Sequence, residues 1–208
     1  MRSDEGRLRP AIHWLVVMAG GKGAAQAASA ILCSLPIDFP APIILALSLE
    51  ERSREFIRTL KYHSGPRMTI ALQGLTPAAA HFYVAPANNS ILIEADGTLG
   101  LSKSTRDTAA PADLALGSAA AVYAERVIGV VLSGEGHDGT GGLTEVTRHG
   151  GVRIVQSPSD SQRPQMPSSA VLGDHPNYVA MVHDIAPILM RLVQSPIRHP
   201  MGDFPAAE

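Results

Sequence analysis

The chain has 208 residues, 45% of them hydrophobic and 17% charged, with a formal net charge of −2. That length supports one hydrophobic core, and the near-balanced charge gives no electrostatic case for nucleic acid. The single Cys33 excludes an internal disulfide framework and a cysteine zinc site.

Residues 1–11 are polar and read as a flexible lead-in. Ile12–Ala19 (IHWLVVMA) predicts a first buried strand, too short to cross a bilayer. Gly20–Gly23 interrupts any longer apolar run, so the chain is read as soluble, cytoplasmic and not inserted in membranes. Ala24–Leu35 has good helix propensity, with Cys33 expected as a small core residue. This strand–glycine turn–helix offers backbone N–H groups to an anion but matches neither a Walker loop nor GxGxxG. After a proline-rich connection, Ile43–Leu49 predicts a second strand. Glu50–Leu60 predicts a helix with Phe56, Ile57 and Leu60 on one side.

Met68–Leu72 and Phe82–Pro86 read as short strands. Ile91–Glu94 and Leu99–Ser102 flank an Asp96-Gly97 turn, a hairpin signal. Asp113–Ala124 predicts a helix that packs through Leu114, Ala115, Gly117, Ser118 and Ala121. Val127–Leu143 (VIGVVLSGEGHDGTGGL) then joins a β-branched apolar run to a loop rich in glycine and to a helix. This is half a βαβ unit, and ligands bind at the carboxyl ends of such strands. Gly150-Gly151 caps the helix over 140–149, and Val152–Val155 is a further strand. A Ser/Pro loop over 157–167, a short helix from Ser168 and a last helix over 184–193 complete the domain, read as residues 12–193. Residues 194–208 read as a disordered tail. The alternation predicts an α/β fold: a doubly wound, mostly parallel sheet with an inserted antiparallel hairpin.

Four segments together carry a family resemblance: VVLSGEGHDGTGGL (130–143), FYVAPANNSI (82–91), VQSPSDSQRPQMPSSA (155–170) and ADLALGSAA (112–120). They resemble the catalytic domain of the CheB chemotaxis receptor methylesterases and deamidases, over about residues 12–193 and without a receiver domain. The resemblance implies a Ser–His–Asp hydrolase with no cofactor and no metal. Its serine lies in a GASTGG turn after the first strand, its histidine after the second, and its acid in GxGxDG. Asp138 matches the acid. The serine place holds Gly21 and the histidine place holds Leu47, counted without gaps. A shift of one residue offers Gly20 or Lys22, and Ala46 or Ser48, none of which restores the triad. The histidine common after the family's APG segment is replaced by Ser90.

Glycine has no hydroxyl and leucine accepts no proton, so the implied function is binding without hydrolysis. The partner is expected to be a chemoreceptor segment, another signalling protein or a second copy of the chain. The expected binding residues are Lys22, Gly23, Gly134, Glu135, Gly136 and His137, with Lys22 paired to Glu135 or Asp138. Other readings stay open. One is an esterase or deamidase with an altered site, using His137 with Ser133 or Ser48, or a histidine such as His81 brought into the cleft. Another is a small-anion sensor built on Lys22 and the Gly20–Gly23 turn. A metal held by Glu135, His137 and Asp138 and a reactive thiol at Cys33 are the weakest.

Overall fold

The computed structural model describes residues 13–48, 54–64, 67–103 and 110–195. The lead-in, Ile12 of the expected first strand, Leu49, the first residues of the expected second helix (50–53), residues 65–66 and 104–109, and the tail from 196 onward lie outside the described residues, whereas Gln194, expected in the tail, ends the last helix.

The strands are β1 (Leu15–Gly20), β2 (Ile43–Leu47), β3 (Met68–Ile70), β4 (Phe82–Val84), β5 (Asn89–Ile93), β6 (Leu99–Lys103), β7 (Val127–Val131), β8 (Val152–Gln156) and β9 (Tyr178–Ala180). The helices are α1 (Ala24–Ser34), α2 (Arg54–Ser64), α3 (Pro111–Tyr123), α4 (Thr140–Arg148), α5 (Gln165–Asp174) and α6 (Val182–Gln194). Seven strands form one sheet in the order β3-β4-β2-β1-β7-β8-β9, and their pairings are parallel. The hairpin β5–β6 is a separate two-stranded antiparallel sheet, packed against the main fold rather than added to its edge.

The central strands are buried on both faces, as their unbroken apolar runs require. Alternate side chains feed two apolar layers. Val16, Met18, Leu45, Leu47, Val130 and Leu132 face α1, α2 and α6. Leu15, Val17, Ala19, Ile44, Ala46 and Val131 face α3, α4, α5 and the hairpin. From β1 the chain moves to β2 on one side, and β7 continues to β8 on the other. The order therefore reverses at the β1–β7 boundary, where open α/β sheets present a crevice.

Several expectations shift. The hairpin turn runs from Glu94 to Thr98, with Gly97 at φ +86° and the Asp96 carboxylate accepting from the Thr98 N–H. Helix α3 buries Ala112, Ala115, Leu116, Ala119, Ala120 and Tyr123, while Leu114 and Ala121 face solvent. Its apolar stripe is thus rotated from the expected one, because the hairpin and α4 cover the alanine-rich face. Cys33 is exposed rather than core. Strand β9 was not legible, being three residues long on an edge with no alternation to mark it.

Helices α3 and α4 approach closely through Gly142, where a Cβ would stand 2.6 Å from Leu116 Cβ and 3.1 Å from Asp113 Cα. Neither atom can rotate away. Alanine at 142 gains about 1 kcal/mol of helix propensity. Overpacking opposes this with about 1–3 kcal/mol. Gly142→Ala is expected to lower stability in urea unfolding, with the m-value unchanged.

Candidate active site

The cleft lies where β1 and β7 end side by side, Ala19 opposite Val131. Three segments wall it: the turn Gly20–Gly23, the loop Ser133–Gly139 and the stretch Gln162–Met166. Gly134 is pinned between the last two, donating its N–H to Arg163 O (2.9 Å) and accepting from Met166 N–H (3.0 Å). A Cβ at Gly134 would overlap the Met166 sulfur, so only glycine fits.

Ser133 ties the walls together. It is 1% exposed. Its hydroxyl donates to Lys22 O (2.8 Å) and accepts from Arg163 N–H (2.9 Å), and its N–H donates to Gln156 Oε1 (2.9 Å). Gln156 in turn donates through Nε2 to the Asp160 carbonyl and carboxylate, and that carboxylate accepts from Val182 N–H at the start of α6. The Ser133 hydroxyl is committed to backbone groups and has no imidazole partner, whereas His137 is exposed on the rim. Gln156 gave no sequence signal beyond its place at the end of a strand.

Asp138 and Asp113 cap each other's helices. Asp138 Oδ1 accepts from Asp113 N–H (2.9 Å) and Oδ2 from Ala112 N–H (3.1 Å), at the start of α3. Asp113 Oδ1 accepts from Gly139 N–H (2.9 Å) and Gly142 N–H (2.7 Å), at the start of α4. Burial pushes the Asp138 carboxyl above its ordinary value against the pull of these N–H groups, and the neighbouring Asp113 carboxylate adds to the rise. Both Asp138 oxygens are therefore taken up by backbone. Asp113 was missed as a site residue; its signal was an acid in the first turn of a helix that begins with proline.

At Gly21 a side chain would be closely packed. A Cβ would sit 3.3 Å from Gly134 Cα, 3.4 Å from Met166 Sδ and 3.6 Å from Glu135 N. Leu47 is 1% exposed and lies in the apolar layer beneath α1 and α2. Met166, against Gly21, belongs to the opposite layer. A base at position 47 would thus face away from Gly21, because successive strand residues alternate faces. Ser48 follows, its N–H bonded to Gly20 O (3.0 Å). His81 is also displaced from the cleft. It precedes β4, at the amino edge of a parallel sheet, with its ring over Tyr83 and Nδ1 2.9 Å from Ala79 O.

Lys22 Nζ lies 3.8 Å from Glu135 Oε1, and Arg163 Nε lies 3.1 Å from the same oxygen. Lys22 pairs with Glu135, while Asp138 turns to α3. Arg163 is the closer cation and was hidden in a Ser/Pro loop. All three side chains are about half exposed, so each pair contributes only about 0–1 kcal/mol. In the turn itself, Gly21 N–H donates to Ser133 O and Ala24 N–H to Gly21 O, which takes both groups from any anion cradle. Among the described residues no group of three His, Cys, Asp or Glu side chains is placed to hold a metal, and no helix is long and apolar enough to cross a membrane.

A family model described as CheB methylesterase matches residues 16–189. The chain belongs to the CheB methylesterase family. A protein of Leptospira interrogans, named as a candidate protein-glutamate methylesterase/protein-glutamine glutaminase, is 32% identical over 183 residues, covering 86% of this chain and 95% of that one. Protein-glutamate methylesterase FrzG of Myxococcus xanthus is 30% identical over 182 residues, and the chain spans 53% of its length. The crystal structure of the Thermotoga maritima CheB methylesterase catalytic domain superposes with a TM-score of 0.77 at 27% identity, over 86% of this chain and 98% of that domain. The fold expected from the CheB resemblance is the fold observed.

Asp138→Asn puts an amide NH₂ against a backbone N–H and is expected to cost about 1–3 kcal/mol of stability. The raised Asp138 value means that the folded chain holds this proton to higher pH than the unfolded chain. That contribution is full below the ordinary carboxyl value and is lost as pH rises through the folded one. The stability gap between natural protein and Asp138→Asn, read by urea unfolding, is expected to widen toward acid pH; a gap that narrows there contradicts the assignment.

Proposed function

We propose that this chain is a CheB-family domain of a chemotaxis-type signalling system that binds a protein partner in its cleft without hydrolysing it. The observation that carries the reading is Gly21 itself at the serine place, packed against Gly134 and Met166 with no hydroxyl to offer. Attack on a glutamyl ester or amide needs a nucleophile whose proton passes to a base as the bond forms. Losing such groups costs about 10⁴–10⁶ in rate, and backbone N–H groups do not replace a nucleophile. The committed Ser133 hydroxyl and the capping role of Asp138 support the same reading.

In this reading Asp138 is the family acid retained for structure, and Gly21 and Leu47 mark the lost serine and histidine. Lys22, Gly23, Gly134, Glu135, Gly136 and His137 form the binding rim. Residues 12–193 act as one domain. The partner is a receptor segment of the kind that carries methylated glutamates, which places the encounter in the cytoplasm.

The test is methanol release from chemoreceptor peptides methylated on glutamate, for the natural protein and for Gly21→Ser. A serine there needs Gly134 or Met166 to give by a few tenths of an ångström, and it has no imidazole to take its proton. Neither protein is expected to release methanol above the blank. Release by the natural protein in proportion to its concentration overturns the reading, and its loss in His137→Ala would then identify the base.

A further inference from the structure

Two cations and one carboxylate meet beside Gly21. Lys22 and Arg163 come from opposite walls of the cleft and converge on the same oxygen, Glu135 Oε1, at 3.8 and 3.1 Å. Arg163 Nε is buried without a hydrogen-bond partner, so its interaction with Glu135 is electrostatic and geometrically imperfect. The trio carries two positive charges against one negative, which leaves the pocket short of one carboxylate.

Glu135 is loosely held. Its side chain is 57% exposed, and Gly136 beside it, at φ +78°, has nothing within 4 Å of where a Cβ would be. The cations are better anchored at their backbones. Lys22 O accepts from the Ser133 hydroxyl, and Arg163 N–H and O are bonded to Ser133 and Gly134. An incoming carboxylate can therefore replace Glu135 by rotation of one exposed side chain, with the cleft walls fixed.

We propose that the cleft reads free carboxylate: Lys22 and Arg163 hold a glutamate side chain of the partner, and Glu135 is the internal carboxylate that it displaces. A glutamyl methyl ester or a glutamine brings no charge and leaves Glu135 in place. This inference rests on the binding reading above and names its ligand: the demethylated or deamidated form of the partner, not the ester or the amide.

The experiment uses the full chain and three chemoreceptor peptides that differ at one position only: Glu, Gln or glutamyl methyl ester. Affinity is read by fluorescence anisotropy, with methanol release followed in the same samples. The Glu peptide is expected to bind about tenfold tighter than the other two, a preference that shrinks with added salt as exposed charge pairs are screened. Glu135→Gln, which removes the internal competitor, is expected to tighten the Glu peptide by about threefold. Lys22→Gln and Arg163→Gln, which leave the anchoring backbone bonds in place, are expected to abolish the preference. Equal affinity for the three peptides overturns the carboxylate reading while binding without hydrolysis stands; no binding of any peptide overturns the receptor-binding reading as well. Methanol release from the ester peptide overturns catalytic silence instead, so the two failures are separable.

Discussion

Two carboxylates, each capping the other's helix, are the constraint on which this cleft depends. A helix begins with N–H groups that no turn of its own can satisfy. Here the residues at the two N-cap positions, Ala110 and Gly139, carry no side chain able to help. Asp138 supplies the acceptors for α3 and Asp113 those for α4, so neither helix start is satisfied unless both are in place. Two like charges side by side repel. They are tolerated because the N–H groups of Ala112, Asp113, Gly139 and Gly142 surround them, at the positive ends of two helices. The clasp fixes the glycine loop relative to α3, and through Gly134 it fixes the cleft.

The fold was largely legible in the sequence because its central strands are continuous apolar runs and its loops are punctuated by glycine. The hairpin announced itself at Asp96-Gly97. What failed was phase and partner. The buried stripe of α3 was misplaced because alanine and glycine fit a close helix contact equally well, and only the neighbouring Leu116 and Tyr123 settle which side is covered. Cys33 sat in an apolar stretch but points to solvent. In the candidate site, the glycine loop was legible as a motif, while Asp138 and a pairing of Lys22 with Glu135 or Asp138 were anticipated through the family resemblance. Arg163, Asp113 and Gln156 could not be anticipated, since each acts across 23 to 30 residues of chain through contacts that only the assembled sheet creates.

The position of Leu47 shows how strand geometry limits inference by counting. An ungapped count places it where the family histidine belongs, yet its side chain is in the layer beneath α1 and α2. A strand end is where alternation stops, so one residue decides which side of the sheet a group serves. Ser48, the next residue, is polar but accepts no proton as an imidazole would, and the five residues after it contain no histidine. The cleft between these walls holds a close-packed glycine, a thioether and three half-exposed charges.

The Ser133 hydroxyl also bears on how the molecule comes together. It joins Lys22, 111 residues earlier, to Arg163, 30 residues later. Such a contact exists only once both distant segments are in place. The turn after β1 therefore has no fixed wall to rest on until β7, β8 and the following loop have been made and docked. During synthesis the strand emerges first, but its glycine turn becomes a site only after most of the chain has left the ribosome. The cleft is thus assembled from both ends of the domain, and a truncated chain that retains only the first strands would keep the motif without the site.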